Sequence, residues 1–242
     1  MSDAPVRKTL TAGDGTPVSY LTEGDGPPVL LLHGFVSSAI GWWMNGAAQR
    51  LAETHRVLAP DFRGHGESGK PSDPAAYGPR LVSDLGALLD AEGLDAADVV
   101  GFSMGAEVGL AMAAWHPDRV RSLTLTGSGW SPPEIMTEYR KWFGILVTPE
   151  NGRPPHPNAA ALAAVIEGMP SLVGLPGDAV AALPMPVRGI IGENDDERPW
   201  MERIATMRPG FVPHVLEGAD HLGTWRSPDF PDLLARAVNG RL

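Results

Sequence analysis

The chain has 242 residues, 19 basic and 29 acidic, for a formal net charge of −10, and it contains no cysteine. This length suits one α/β domain, and 43% hydrophobic with 20% charged residues argues against disorder. The acidic balance disfavours nucleic acid and anionic lipid as partners, and the missing cysteines rule out disulfides, a thiolate nucleophile and a cysteine-held metal.

The first element expected is a hairpin. Val6–Thr11 and Pro17–Thr22 flank the turn-rich Gly13-Asp14-Gly15-Thr16. Short apolar runs follow at Val29–Leu32, Val57–Ala59, Val99–Gly101, Leu123–Thr126, Val187–Ile191 and Val212–Leu216. Runs of this length suit strands buried on both faces of a parallel sheet. Between them, Tyr77–Glu92 carries Leu81, Val82, Leu85, Leu88 and Leu89 on one helical face. Met104–His116 is Ala-rich and stops before Pro117, and Asp229–Val238 is amphipathic and stops at Gly240. Strands alternating with helices predict an α/β fold with a mostly parallel sheet of about eight strands and an antiparallel start.

The alternation lapses between Trp130 and Leu183, where helices are expected at Pro133–Val147 and Asn158–Met169 around a Pro/Gly-rich Thr148–Pro157. This stretch reads as a short helical lid over residues 131–183, inserted into a single domain whose core is 1–130 and 184–242. No secretory signal and no apolar run near the ~20 residues of a membrane span are visible, so the expectation is a cytoplasmic protein without a membrane span.

The most informative local pattern is Val99-Val100-Gly101-Phe102-Ser103-Met104-Gly105. A strand running into G-x-S-x-G and then a helix forms a sharp turn that lifts the serine hydroxyl above the sheet. A serine needs a base, best a histidine oriented by a carboxylate. His221, just after the last expected strand, stands where catalysts gather in open α/β sheets. His33 and His65 are expected to fix loops, and His55, His116, His156 and His214 to lie at helix ends or on the surface. The acid comes from Glu193-Asn194-Asp195-Asp196-Glu197, with Asp195 preferred and Asp196 next. Ser103, Asp195 and His221 then follow the chain order that the elbow architecture requires. Oxyanion donors are expected from the Met104 amide, directly after the nucleophile, and from the Phe35 amide in His33-Gly34-Phe35.

Together His33-Gly34-Phe35, Pro60-Asp61-Phe62-Arg63-Gly64-His65-Gly66-Glu67-Ser68, Gly101–Gly105, Gly192–Asp195 and Asp220-His221 resemble the α/β-hydrolase superfamily. Its small esterase, lactonase and haloperoxidase-like members are the most similar. The resemblance implies the fold, the Ser103–His221–Asp195 triad, the Phe35/Met104 oxyanion pair, and a structural role for Asp61–Ser68. Serine rather than aspartate at the nucleophile argues against haloalkane dehalogenase and epoxide hydrolase chemistry. The oxyanion loop lacks the Gly-Pro-Gly that carbon–carbon bond hydrolases of the superfamily tend to carry, and the lid is shorter than a four-helix cap.

Trp130, at the strand-to-lid junction, and Leu222, beside the base, are the expected substrate-binding residues. Trp42, Trp43, Trp142, Phe143 and Trp225 are further candidates for an apolar pocket. Glu107, one helical turn after Ser103, is expected to be hydrogen-bonded scaffold under the site. No metal-ligand spacing and no dinucleotide motif occurs, so no metal and no cofactor is expected. The sequence thus predicts a carboxylic ester hydrolase acting on a small molecule through an acyl-enzyme, with a lactonase, a perhydrolase or a ligand-binding relative of little turnover as alternatives. It leaves the oligomeric state open.

Overall fold

The computed structural model describes residues 4–147 and 156–242. Eight strands form one sheet: β1 (Val6–Thr11), β2 (Pro17–Glu23), β3 (Pro28–Leu32), β4 (Arg56–Pro60), β5 (Ala97–Phe102), β6 (Val120–Thr126), β7 (Val187–Gly192) and β8 (His214–Leu216). Their spatial order is β1-β2-β4-β3-β5-β6-β7-β8. β2 is antiparallel to both β1 and β4, and every other neighbouring pair is parallel. The expected α/β-hydrolase architecture is therefore the observed one.

The apolar runs of β3 to β7 are strands because both of their faces are covered. Leu30, Leu32, Leu58, Val99, Leu123 and Leu125 join one buried cluster with Leu81, Leu85, Leu88 and Met112. Their neighbours Val29, Leu31, Val57, Val100 and Ile190 join a second with Trp42, Leu51, Phe230 and Leu234. Alternate residues of one strand thus feed opposite sides of the sheet, as the two-residue strand period demands.

The helices are α1 (Gly41–Met44), α2 (Ala47–Ala52), α3 (Pro79–Ala91), α4 (Met104–Trp115), α5 (Ile135–Val147), α6 (Ala159–Gly168), α7 (Gly177–Ala181), α8 (Arg198–Met207), α9 (His221–Arg226) and α10 (Phe230–Val238). No helix among the described residues is long and apolar enough to cross a membrane. α5, α6 and α7 occupy the insertion between β6 and β7, and no strand lies there among its described residues. Most of Thr148–Pro157, residues 148–155, falls outside the described residues.

α2 and α7 were not expected, and three further elements near the end of the sheet depart from the sequence expectation. β8 begins at His214 because Val212 is 82% exposed and Pro213 has no N–H to give a ladder. α8 was not expected: its first turn holds Pro199 and its exposed face is charged, so only Met201 and Ile204 are buried. His221 is not in a loop but opens α9, whose N-cap Asp220 accepts a hydrogen bond from the Gly223 amide at 2.6 Å.

The segment Asp61–Ser68 after β4 is held by buried charge. Asp61 accepts from the Ala39 amide (2.7 Å), the Glu67 amide (3.0 Å) and Arg7 (2.9 Å), joining the loop after β3 to the loop after β4. Arg63, whose side chain is 1% exposed, donates through Nε and Nη2 to both carboxylate oxygens of Asp84 at 2.7 Å, and through Nη1 to Asp14 at 2.8 Å. A planar fork meeting a carboxylate in this way is well matched, but removing one partner strands a buried charge. Asp84→Ala should destabilise the protein by about 3–5 kcal/mol in urea unfolding followed by circular dichroism. An unchanged midpoint would contradict the structural role assigned to Arg63.

Candidate active site

The β5–α4 junction is a turn that tolerates no side chain at its glycines. A Cβ on Gly105 would lie 2.1 Å from the Leu32 carbonyl oxygen, and one on Gly101 would lie 2.2 Å from the Gly105 carbonyl oxygen. Between them Ser103 takes φ 54°, ψ −121°, a conformation that costs a non-glycine residue roughly 1–3 kcal/mol. The strain is held in place because the Ser103 amide donates to the Thr126 carbonyl (2.9 Å) and α4 is almost wholly buried behind it. The serine side chain stands at the N-terminus of α4, with Met104 as the first helical residue.

His221 arrives from the other side of the sheet end. Its Nδ1 lies 3.2 and 3.1 Å from the two carboxylate oxygens of Asp195. Asp195 is 4% exposed and also accepts from the Glu197 amide at 3.0 Å, whereas Asp196 is exposed. The carboxylate beside His221 is therefore that of Asp195. Burial works against the charged imidazole, but the hydrogen bond and charge of Asp195, with Glu197 and Asp220 beyond, outweigh it and raise the pKa above the ordinary 6.5. This pairing leaves Nε2 as the atom free to exchange a proton.

Two cavities flank Ser103, and Ser103, Phe143 and His221 line both. One, of about 220 Å³, is walled by Met104, Glu107, Tyr139, Trp142 and the carboxyl-bearing Asp195–Glu197. The other, of about 360 Å³, is lined by Gly34, Phe35, Val36, Phe102, Leu222 and Trp225 and is mainly apolar. No arginine or lysine lines either among the described residues. No group of three or more His, Cys, Asp or Glu side chains among the described residues could hold a metal ion.

Leu222 thus sits where a substrate-binding residue would, but Trp130 does not. Its indole N–H donates to the Leu175 carbonyl at 2.7 Å and its ring lies 5.7 Å from the Arg203 guanidinium, so it packs the base of the insertion instead of either cavity. Of the other tryptophans, Trp142 and Trp225 line cavities, while Trp42 and Trp43 are buried in the core beneath.

His33 and His65 support the loop that carries Phe35. The Phe62 amide donates to His33 Nε2 at 3.1 Å, so Nδ1 carries the proton and donates to the Gly34 carbonyl at 2.8 Å. Burial lowers the pKa of both, with the neighbouring His33 adding to the effect at His65, so both rings are neutral. The Phe35 ring meets His65 edge-on at 5.6 Å and stacks on Phe143 of α5 at 4.2 Å.

Tyr139 and Glu197 were not singled out from the sequence. Tyr139 stands four residues before Phe143, on the same face of α5, and that i, i+4 relation is the one signal that could have found it. Glu197 read as one more solvated acid in an acidic run.

Comparison with known proteins bears on the fold and the family. Residues 27–160 match the alpha/beta hydrolase fold family. The chain is 38% identical over 122 residues to a 2-hydroxymuconate semialdehyde hydrolase of Pseudomonas putida, a stretch covering 50% of this chain and 43% of that protein. The chain spans less than half the length of the curated relatives it matches. Among solved structures, a hydrolase from Pseudomonas aeruginosa superposes with a TM-score of 0.79 at 23% identity, covering 98% of this chain and all of that one. An alpha/beta hydrolase fold protein from Chitinophaga pinensis gives 0.80 at 17% identity over 98% of each chain. The chain belongs to the alpha/beta hydrolase fold family.

Proposed function

We propose that the protein is a serine hydrolase that cleaves carboxylic esters of small molecules by a Ser103–His221–Asp195 triad. The observation that carries this reading is the convergence of a strained, elbow-borne Ser103 and an Asp195-held imidazole on the same two cavities. The likeness to a 2-hydroxymuconate semialdehyde hydrolase supports hydrolysis and leaves the bond cleaved to the chemistry of the site.

In this reading His221 Nε2 removes the proton from Ser103 Oγ as the oxygen attacks the ester carbonyl. The amides of Phe35 and Met104 donate to the resulting oxyanion. Asp195 holds the imidazole tautomer and balances the imidazolium. The tetrahedral intermediate collapses with the C–O bond to the alcohol breaking, and His221 hands its proton to the departing oxygen. Water, activated by the same imidazole, then hydrolyses the acyl-enzyme and restores Ser103. The two cavities offer separate space for the acyl and alcohol portions, with the helical insertion acting as a lid above them. The chemistry draws on no cofactor.

A graded panel of p-nitrophenyl esters and lactones, assayed with wild type and Ser103→Ala, tests the reading. Ser103→Ala should lower kcat roughly 10⁴-fold or more while binding of substrate persists. Absence of any Ser103-dependent turnover across the panel would sink the ester hydrolase assignment. The pH dependence follows from the sign of the His221 shift. The base must be neutral and its pKa is raised, so kcat/KM should fall on acidification with a limb above 6.5, earlier than for an unperturbed imidazole. Asp195→Asn should move that limb downward; a rate flat to pH 4 would remove His221 as the base.

A further inference from the structure

Four segments meet at one phenol. Tyr139 of α5 is 8% exposed, and its hydroxyl oxygen lies 2.8 Å from Glu107 Oε1, 2.9 Å from Glu197 Oε2 and 3.2 Å from Ser131 Oγ. Glu107 belongs to α4, one turn beyond Ser103, and Glu197 is the N-cap of α8, two residues beyond Asp195. Ser128, from the segment after β6, donates to the same Glu197 Oε2 at 3.2 Å.

A phenol has one proton to donate. It can satisfy one glutamate, so the other, at hydrogen-bond distance from the phenolic oxygen, has to donate a proton of its own. Two ionised carboxylates here would leave one buried oxygen–oxygen contact with no hydrogen between the atoms. Glu107 is the group that keeps the proton: it is 3% exposed, and burial, with the charge of Glu197 second, pushes its pKa up to about 8. The chain then runs from the Glu107 acid to the Tyr139 oxygen, and from the Tyr139 hydroxyl to the Glu197 carboxylate. Ser128 donates to Glu197, and Ser131, within hydrogen-bond reach of both the phenol and Glu107, has one proton to give to either.

We propose that Tyr139 is a positioning residue that latches α5 over Ser103 through a proton shared between Glu107 and Glu197, so that the seating of the insertion depends on that proton. The latch matters to the site because α5 also carries Phe143, which stacks on Phe35 and lines both cavities beside Ser103. Other titratable groups facing the cluster are Asp195 and Asp196 from the segment after β7 and His221 from α9. Among the described residues lining this cavity, no lysine or arginine could neutralise a second carboxylate. Loss of the proton is relieved by α5 moving outward and hydrating Tyr139 and Glu107.

The sign follows from linkage. Seated, Glu107 holds its proton up to about pH 8; released to water it loses it near the ordinary 4.5. Seating is therefore fully stabilised below 4.5, weakens by up to tenfold per pH unit between the two values, and levels off above about 8.

Hydrogen–deuterium exchange of the α5 peptides, corrected for intrinsic exchange and followed from pH 5 to 9, tests this without any substrate and so independently of the ester hydrolase reading. Wild-type protection of α5 should fall by at least ~10-fold between pH 6 and 8 and then flatten, while β5 stays protected. Glu107→Gln, whose amide donates to the phenol at every pH, should keep α5 protected with no pH dependence. Tyr139→Phe should lower α5 protection already at pH 5 with the melting temperature checked in parallel. The proposal is overturned if Glu107→Gln loses protection with pH as wild type does, or if Tyr139→Phe is as protected as wild type.

Discussion

The closeness of α4 to β3 and β5 is the constraint from which the candidate site follows. With no side chain at Gly105 the helix can start against the Leu32 carbonyl, and with none at Gly101 the strand can end against the Gly105 carbonyl. The residue left between them has no relaxed conformation available, which is why Ser103 sits at φ 54°. Burial on both sides holds that strain: β5 lies between β3 and β6 in the middle of the sheet, and α4 is packed along nearly its whole length. A serine on a loop could reach the same place, but it would lose definition to backbone freedom that this junction does not have.

Around the junction the polar groups fall into two kinds. Asp61, Arg63, Asp84 and His33 are buried, fully partnered and turned toward backbone or one another, so they set the loops that frame the cavities without entering them. Ser103 and His221 instead face both cavities. The separation has a physical basis: groups whose hydrogen-bonding capacity is already spent on the scaffold have little left for a ligand.

The middle of the sheet was legible because β3 to β7 each carry a short apolar run buried on both faces, a pattern that a half-buried helix does not produce. The elbow was legible because its glycines and serine fall within five consecutive residues, Gly101 to Gly105. The acid was not uniquely readable: Asp195 and Asp196 are neighbours of the same chemistry, and only the turn after β7 decides that one is buried against His221 and the other is exposed. Trp130 misled because its place at a strand end says nothing of its indole, which turns to the Leu175 carbonyl. Tyr139 and Glu197 were invisible for a similar reason: their contact spans 58 residues and exists only once α5 folds back over the sheet. α9, at six residues, is too short to show a helical period.

A nucleophilic Ser103 becomes acylated during turnover in the proposed reaction. Rapid quenching of the protein with a p-nitrophenyl ester, followed by intact-mass analysis and peptide mapping, measures this directly. A transient mass gain equal to the acyl group is expected, located on the peptide containing Ser103 and absent from Ser103→Ala. Turnover without that adduct, or an adduct on another residue, would contradict it.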